Sequence, residues 1–119
     1  MFRNAVVRIV ILLSLVVALP AMASRYAYIP RSSANQVSVL DTQTNTFVAN
    51  ITVGNNPWGV AVHPAGHRVY VPAVNSNSVA VINTATNTVI ATVPVGTSPY
   101  HTAVSPDGAE VYVPNYGAG

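Results

Sequence analysis

Tyr70-Val-Pro-Ala-Val-Asn-Ser-Asn-Ser-Val-Ala-Val-Ile-Asn-Thr-Ala-Thr-Asn-Thr-Val-Ile-Ala-Thr-Val-Pro-Val-Gly96, followed by a turn at Pro99 and by Ala103-Val-Ser-Pro-Asp-Gly108, decides the fold, because the stretch has a second copy. Residues 28–69 laid over 70–111 give eighteen identities in forty-two positions without a gap. Tyr28, Tyr70 and Tyr112 keep this step of 42, as do Pro30, Pro72 and Pro114. Asn45 and Asn87, Gly54 and Gly96, Pro57 and Pro99, and Gly66 and Gly108 keep it too. A third copy therefore starts at 112. A repeat of this length fixes the architecture before any single residue does.

Each unit holds four short apolar runs. In the most complete copy they are Val60–His63, Val69–Val74, Val79–Ile82 and Val89–Val95. Gly, Asn and Pro clusters separate them. Runs of this length rich in Val, Ile, Thr and Tyr predict strands, and the clusters predict tight loops. Beyond residue 23 no window shows a helical period with caps. Asp107-Gly108 after Pro106 predicts a type I turn ending in a left-handed Gly. Asp41 and Asn83 predict turns in which the side chain stands in for a backbone acceptor. Val79-Ala80-Val81-Ile82 is apolar on both faces, a pattern of sheets covered on both sides. Four-stranded antiparallel units of about 40 residues, stacked face to face, describe propeller blades. The fold class expected is all-β, with about two blades of a partial or assembling propeller.

Several of these motifs resemble a known family. Val69-Tyr70-Val71-Pro72, Ser38-Val39-Leu40-Asp41-Thr42, Thr86-Asn87-Thr88-Val89-Ile90-Ala91-Thr92-Val93-Pro94-Val95-Gly96 and Ala103-Val104-Ser105-Pro106-Asp107-Gly108 look like the YVTN-type β-propeller repeat. The likeness covers residues 26–116. The signature tetrapeptide differs: the copies read Tyr28-Ile-Pro-Arg, Tyr70-Val-Pro-Ala and Tyr112-Val-Pro-Asn, with Pro in place of Thr. Pro cannot donate a ladder bond, so the strand should end, bulge or face an edge there. The resemblance implies a secreted or surface protein, typically a seven-bladed propeller without an assigned reaction.

Residues 1–23 read as a secretory signal peptide. Arg3 and Arg8 give a positive start, Ile9–Leu19 an apolar run, and Ala21-Met22-Ala23 the small residues that signal peptidase requires. Cleavage after Ala23 leaves residues 24–119, starting at Ser24, in the periplasm, outside the cell or at its surface. An uncleaved anchor is the alternative, but the run is shorter than the roughly 20 residues that span a bilayer. Beyond residue 23, Arg25, Arg31 and Arg68 balance Asp41, Asp107 and Glu110. Such a body lacks the basic field that nucleic acid or an anionic membrane would need. The chain has no Cys, which excludes disulfides, thiol nucleophiles and Cys-based zinc sites. It also has no Lys, no phosphate-binding Gly loop and no paired carboxylates for acid–base work.

Three residues are candidates for ligand binding. Trp58 and Tyr100 hold the same repeat position, after Pro57 and Pro99, in the loop leading to the first strand of a unit. An aromatic there either stacks a ligand at a channel mouth or packs between units. His101 replaces the Gly59 of the preceding copy, as a ligand-facing imidazole or as a polar surface residue. His63 and His67 flank a hairpin turn and could approach each other. A zinc or copper site needs three or four ligands, and their unit offers no third. No catalytic residue, cofactor or full metal site is assigned.

Two units leave broad apolar faces uncovered, and repeat proteins generally need about three copies to bury a continuous core. The expected partners are therefore further copies of this chain or a missing part of the propeller. The leading function is a secreted binding or assembly module. Alternatives are part of a periplasmic propeller enzyme, lactonase-like or a cofactor-dependent dehydrogenase, and a cell-surface adhesin or surface-layer component.

Overall fold

A computed structural model describes residues 25–118; the signal peptide expected at residues 1–23, Ser24 and Gly119 lie outside the described residues. Nine strands form three antiparallel sheets. The first sheet is β1 (Tyr26–Arg31), β2 (Gln36–Asp41) and β3 (Thr46–Thr52). The second is β4 (Ala61–Val62), β5 (Arg68–Ala73), β6 (Ser78–Asn83) and β7 (Thr88–Pro94), and the third is β8 (Ala103–Val104) with β9 (Val111–Tyr112). Strands follow one another in order within each sheet. Two single turns of 3-10 helix, Ser32–Ala34 and Tyr116–Ala118, are the helical elements among the described residues.

The step of 42 recurs in the hydrogen-bond register. Tyr28 pairs with Val39 and Tyr70 with Val81. The β2–β3 ladder shifts between Val39 and Leu40, and the β6–β7 ladder shifts at the equivalent Val81 and Ile82. Turn chemistry repeats as well. Asp41 Oδ1 accepts from Gln43 N, and Asn83 Oδ1 from Ala85 N, each at 2.9 Å. Asn45 and Asn87 then take left-handed φ values of 54° and 53°, a region Asn tolerates better than most side chains. Gly66 and Gly108 sit at φ of 79° and 76°, as the turn pattern requires.

The repeated Pro is accommodated by the strand geometry. Pro72 lies in β5 opposite Val79. Its carbonyl accepts from Trp58 N at 3.4 Å, on the side away from β6. In an extended strand a residue's N and C=O point the same way, so the missing donor faces the flank where β4 has already ended.

The inner and final strands are shorter than their apolar runs. Val60–His63 yields only Ala61–Val62, and Val111–Pro114 only Val111–Tyr112. Pro57 and Pro99 bridge to Ala73 and Asn115 outside these strands. Backbone pairing there is taken over by the crossovers between units.

The core lies between the first and second sheets. Val37, Val39 and Ile51 pack with Val69, Val71, Ala80 and Ile82, all at most 6% exposed. Pairing puts Tyr28, Val39 and Ala49 on one face of the first sheet, and Val69, Val71, Ala80 and Ile82 on the facing side of the second. Burying each such aliphatic side chain is worth about 1.5–3 kcal/mol. Tyr28 Oη donates to Asn87 Oδ1 at 2.8 Å across the same interface.

The crossover from one sheet to the next is fastened by an Asn. Asn35, left-handed at φ 56°, accepts from Val53 N through its carbonyl at 3.0 Å and from Asn56 N through Oδ1 at 2.9 Å. Asn77 repeats this with Val95 N at 2.9 Å and Ser98 N at 3.0 Å. Gly54 passes so close that a Cβ would lie 2.7 Å from Ala73 Cβ.

Candidate functional site

The two crossovers carry Trp58 and Tyr100 onto one rim. Each follows a buried Pro bridged to the next strand, so backbone pairing fixes its place. Stacking of the sheets brings their rings to 5.7 Å between centroids at an interplanar angle of 67°. Tyr116, from the turn after β9, continues the row, 5.7 Å from Tyr100 at 79°. Edge-to-face pairs of this kind contribute about 0.5–1.5 kcal/mol beyond burial. The row is not closed off: Trp58 is 54% and Tyr116 84% exposed. Trp58 is thus open to solvent on one side and packed against the aromatic of the next unit on the other. Tyr116 was missed, because its repeat equivalents are Ser32 and Val74 and give no aromatic signal.

His101 is exposed beside this row. The Tyr100–His101 backbone lies against Gly59, where a Cβ would approach Tyr100 O to 2.8 Å. That contact explains why the equivalent position in the preceding copy is glycine. The rim offers aromatic faces, two phenol hydroxyls and one imidazole, a set suited to a flat, largely neutral ligand.

His63 and His67 do come together, with ring centroids 4.1 Å apart. His63 Nδ1 accepts from Ala65 N at 3.0 Å, and the edge carrying its Nε2 lies against Gly108 in the turn between β8 and β9. Both nitrogens are therefore engaged in packing or hydrogen bonding. Partial desolvation lowers the His67 pKa, helped by the nearby His63 and Arg68 charges. Among the described residues no group of three His, Cys, Asp or Glu side chains gathers in a way that could hold a metal.

The carboxylates serve the backbone and local contacts. Asp41 is buried and paired with Arg25, whose guanidinium donates to Oδ2, in one bond at 3.0 Å. This pair holds the carboxyl below its usual range. It has no counterpart 42 residues on, where His67 and Asn83 stand in the same places. Asp107 accepts from Ser105 Oγ at 2.6 Å and Ala109 N at 3.0 Å, which lowers its pKa as well. Glu110 accepts from Tyr112 Oη at 2.9 Å. A cleft of about 530 Å3 opens between the first two sheets, lined in part by Thr52, Gly54, Ser76 and Asn77, with no charged residue in its wall.

No family model matches the chain. A PE-PGRS family protein of Mycobacterium tuberculosis is 51% identical over 37 residues, 31% of this chain and 8% of that protein. Kuenenia stuttgartiensis hydrazine synthase superposes with a TM-score of 0.77 at 30% identity, over 79% of this chain and 27% of its own. A functionally unknown protein from Desulfotomaculum acetoxidans gives 0.69 at 26%, over 76% and 31%. Dihydro-heme d1 dehydrogenase NirN in complex with DHE gives 0.70 at 26%, over 77% and 20%. The chain has the β-propeller fold, with about two blades present. Its first sheet is blade one, its second a four-stranded blade two, and its third the inner half of blade three. It spans less than a third of the length of each of these three solved chains.

Proposed function

We propose that this chain is a secreted YVTN-type propeller-repeat protein that works by binding, with the Trp58–Tyr100–Tyr116 rim as its recognition surface. The observation that carries the reading is the continuous row of edge-to-face rings left open at both ends. Rings on rigid blade crossovers present area at little cost in conformational entropy. The leader sequence supports export, and the motif set quoted above supports the repeat family. The rim favours neutral ligands with a flat face, such as the sugar rings of an oligosaccharide.

Trp58 is the chain's single tryptophan, so its emission reports on the rim alone. Titration with a panel of soluble oligosaccharides should give a saturable change that Tyr116→Ala weakens. An unchanged spectrum across the panel contradicts recognition of sugars at the rim.

A second reading, part of a propeller enzyme, draws support from the names of two structural neighbours, a synthase and a dehydrogenase. Turnover with an artificial electron acceptor, lost in Trp58→Ala, would favour it.

A further inference from the structure

The outer strands of blades one and two leave between them the cleft of about 530 Å3. Thr52 ends β3 and Pro94 ends β7, and both stand in its wall. The crossover adds Gly54, the turn from β5 to β6 adds Ser76 and Asn77, and β6 adds its first residue, Ser78. The wall is therefore built from the facing sides of two blades that are both described. It lies at the same end of the blades as the aromatic rim. Trp58 follows β3 by way of this crossover, and Tyr116 belongs to the turn that repeats the one carrying Ser76.

The polar groups of this wall keep hydrogen-bonding capacity. Ser76 Oγ accepts from Asn55 N at 2.7 Å and retains its own proton to donate. Asn77 Oδ1 accepts from Ser98 N at 3.0 Å, and its Nδ2 retains two. The repeat shows that the fold does not require these hydroxyls. Ala34 holds the position of Ser76 in blade one, and the turn there forms all the same. Asn50 holds the position of Thr92 and accepts from its cross-strand partner Ser38 at 2.6 Å. In blade two that partner is Ala80, which offers Thr92 no such bond. Thr92 shares a face with Ala80, which packs toward blade one, so its side chain stands over the cleft.

We infer that the cleft is a second subsite for an uncharged, hydroxyl-rich ligand, and that one extended oligosaccharide crosses from it to the rim. This rests on the sugar reading of the rim and adds the length and path of the ligand. Gly54 in the cleft and Trp58 on the rim are separated by four steps of the chain, at most about 14 Å. A single sugar ring does not bridge that distance, whereas a chain of several linked rings does. The crossover between them carries Asn55, which is exposed and adds an amide along the way. The two ends divide the recognition by chemistry. Trp58 and Tyr100 stack on the apolar face of a ring. The hydroxyls and amides of the cleft exchange hydrogen bonds with sugar hydroxyls and so fix orientation. The wall holds no charged residue, so a charged sugar finds no counter-ion there.

Cellobiose and cellohexaose, both neutral and straight, separate the rim from the joined sites when each is titrated against Trp58 emission. The hexaose should bind roughly tenfold tighter than the disaccharide, the gain expected from one or two added hydrogen bonds. Ser76→Ala combined with Thr92→Val should return the hexaose to the affinity of the disaccharide and leave the disaccharide unchanged. Ser76→Ala copies the residue of blade one, and Thr92 is exposed, so the fold is kept. In the unaltered protein the hexaose should also give a nuclear Overhauser contact to the Thr92 methyl that cellobiose does not. Equal affinity for the two sugars, or a length gain that survives the double variant, overturns the cleft subsite and leaves the rim standing. Binding of neither sugar overturns the subsite together with the sugar reading of the rim.

Discussion

Asn35 gives the sharpest test of how the blades are joined. Two contributions meet in this residue. Its side-chain Oδ1 satisfies Asn56 N, and its backbone occupies the left-handed region at φ 56°. Asn35→Asp keeps both the acceptor and the tolerance, and should cost less than about 0.5 kcal/mol. Asn35→Gly keeps the backbone and loses the bond, for about 1–2 kcal/mol including glycine's greater unfolded-state entropy. Asn35→Ala loses the bond and adds a left-handed penalty of about 1–2 kcal/mol, for a total of about 2–3 kcal/mol. At roughly 4–8 °C per kcal/mol for a domain of this size, the Ala variant should melt about 8–24 °C lower. Urea unfolding of residues 24–119, followed by Trp58 emission and far-ultraviolet dichroism at one fixed protein concentration, gives the values. An Asp variant that loses as much as the Ala variant refutes the side-chain acceptor as the fastening.

Gly54→Ala drives a methyl to 2.7 Å from Ala73 Cβ and should cost about 1–3 kcal/mol in the same unfolding assay. Gly96→Ala meets the side chain of Asn115 instead, which can turn aside, and should cost less. Burial, with the neighbouring Tyr26 second, raises the Tyr28 pKa from 10.0 to about 12. The fold therefore favours the neutral phenol, so stability holds below pH 10 and falls as pH rises toward 12. Tyr28→Phe should lose about 0.5–1.5 kcal/mol at neutral pH and flatten that alkaline decline. The pKa of His67 is lowered in the fold, so its contribution is intact above pH 6.5 and is lost as pH falls below it. His67→Gln should shrink the acid loss seen in pH-dependent urea midpoints.

Strands and turns were legible because they depend on local chemistry. The step of 42 placed every strand to within a few residues, and Asp107-Gly108 and Asn83 fixed their turns. The Pro at 30 and 72 also read correctly, since a missing donor restricts which flank a strand can pair on. The short inner and final strands were not legible. Apolar runs there continue into crossovers whose bonding depends on the next blade.

The site was legible in part. Trp58 and Tyr100 shared a repeat position, and their contact follows from stacking. Tyr116 belongs to the same row, but its equivalents are Ser32 and Val74. The Asn35 and Asn77 fastenings left a signal, an Asn identical in both copies, which turn propensity alone did not single out. The Arg25–Asp41 pair left none, being present in one copy only. Tyr28 and Asn87 lie 59 residues apart, and their bond appears only once blade one is laid against blade two.

Face-to-face stacking of successive blades is tested most directly by methyl nuclear Overhauser contacts in labelled protein spanning residues 24–119. Val37 and Val39 should show strong cross-peaks to Val71, Ala80 and Ile82. Cross-peaks confined to partners within each sheet would contradict the account.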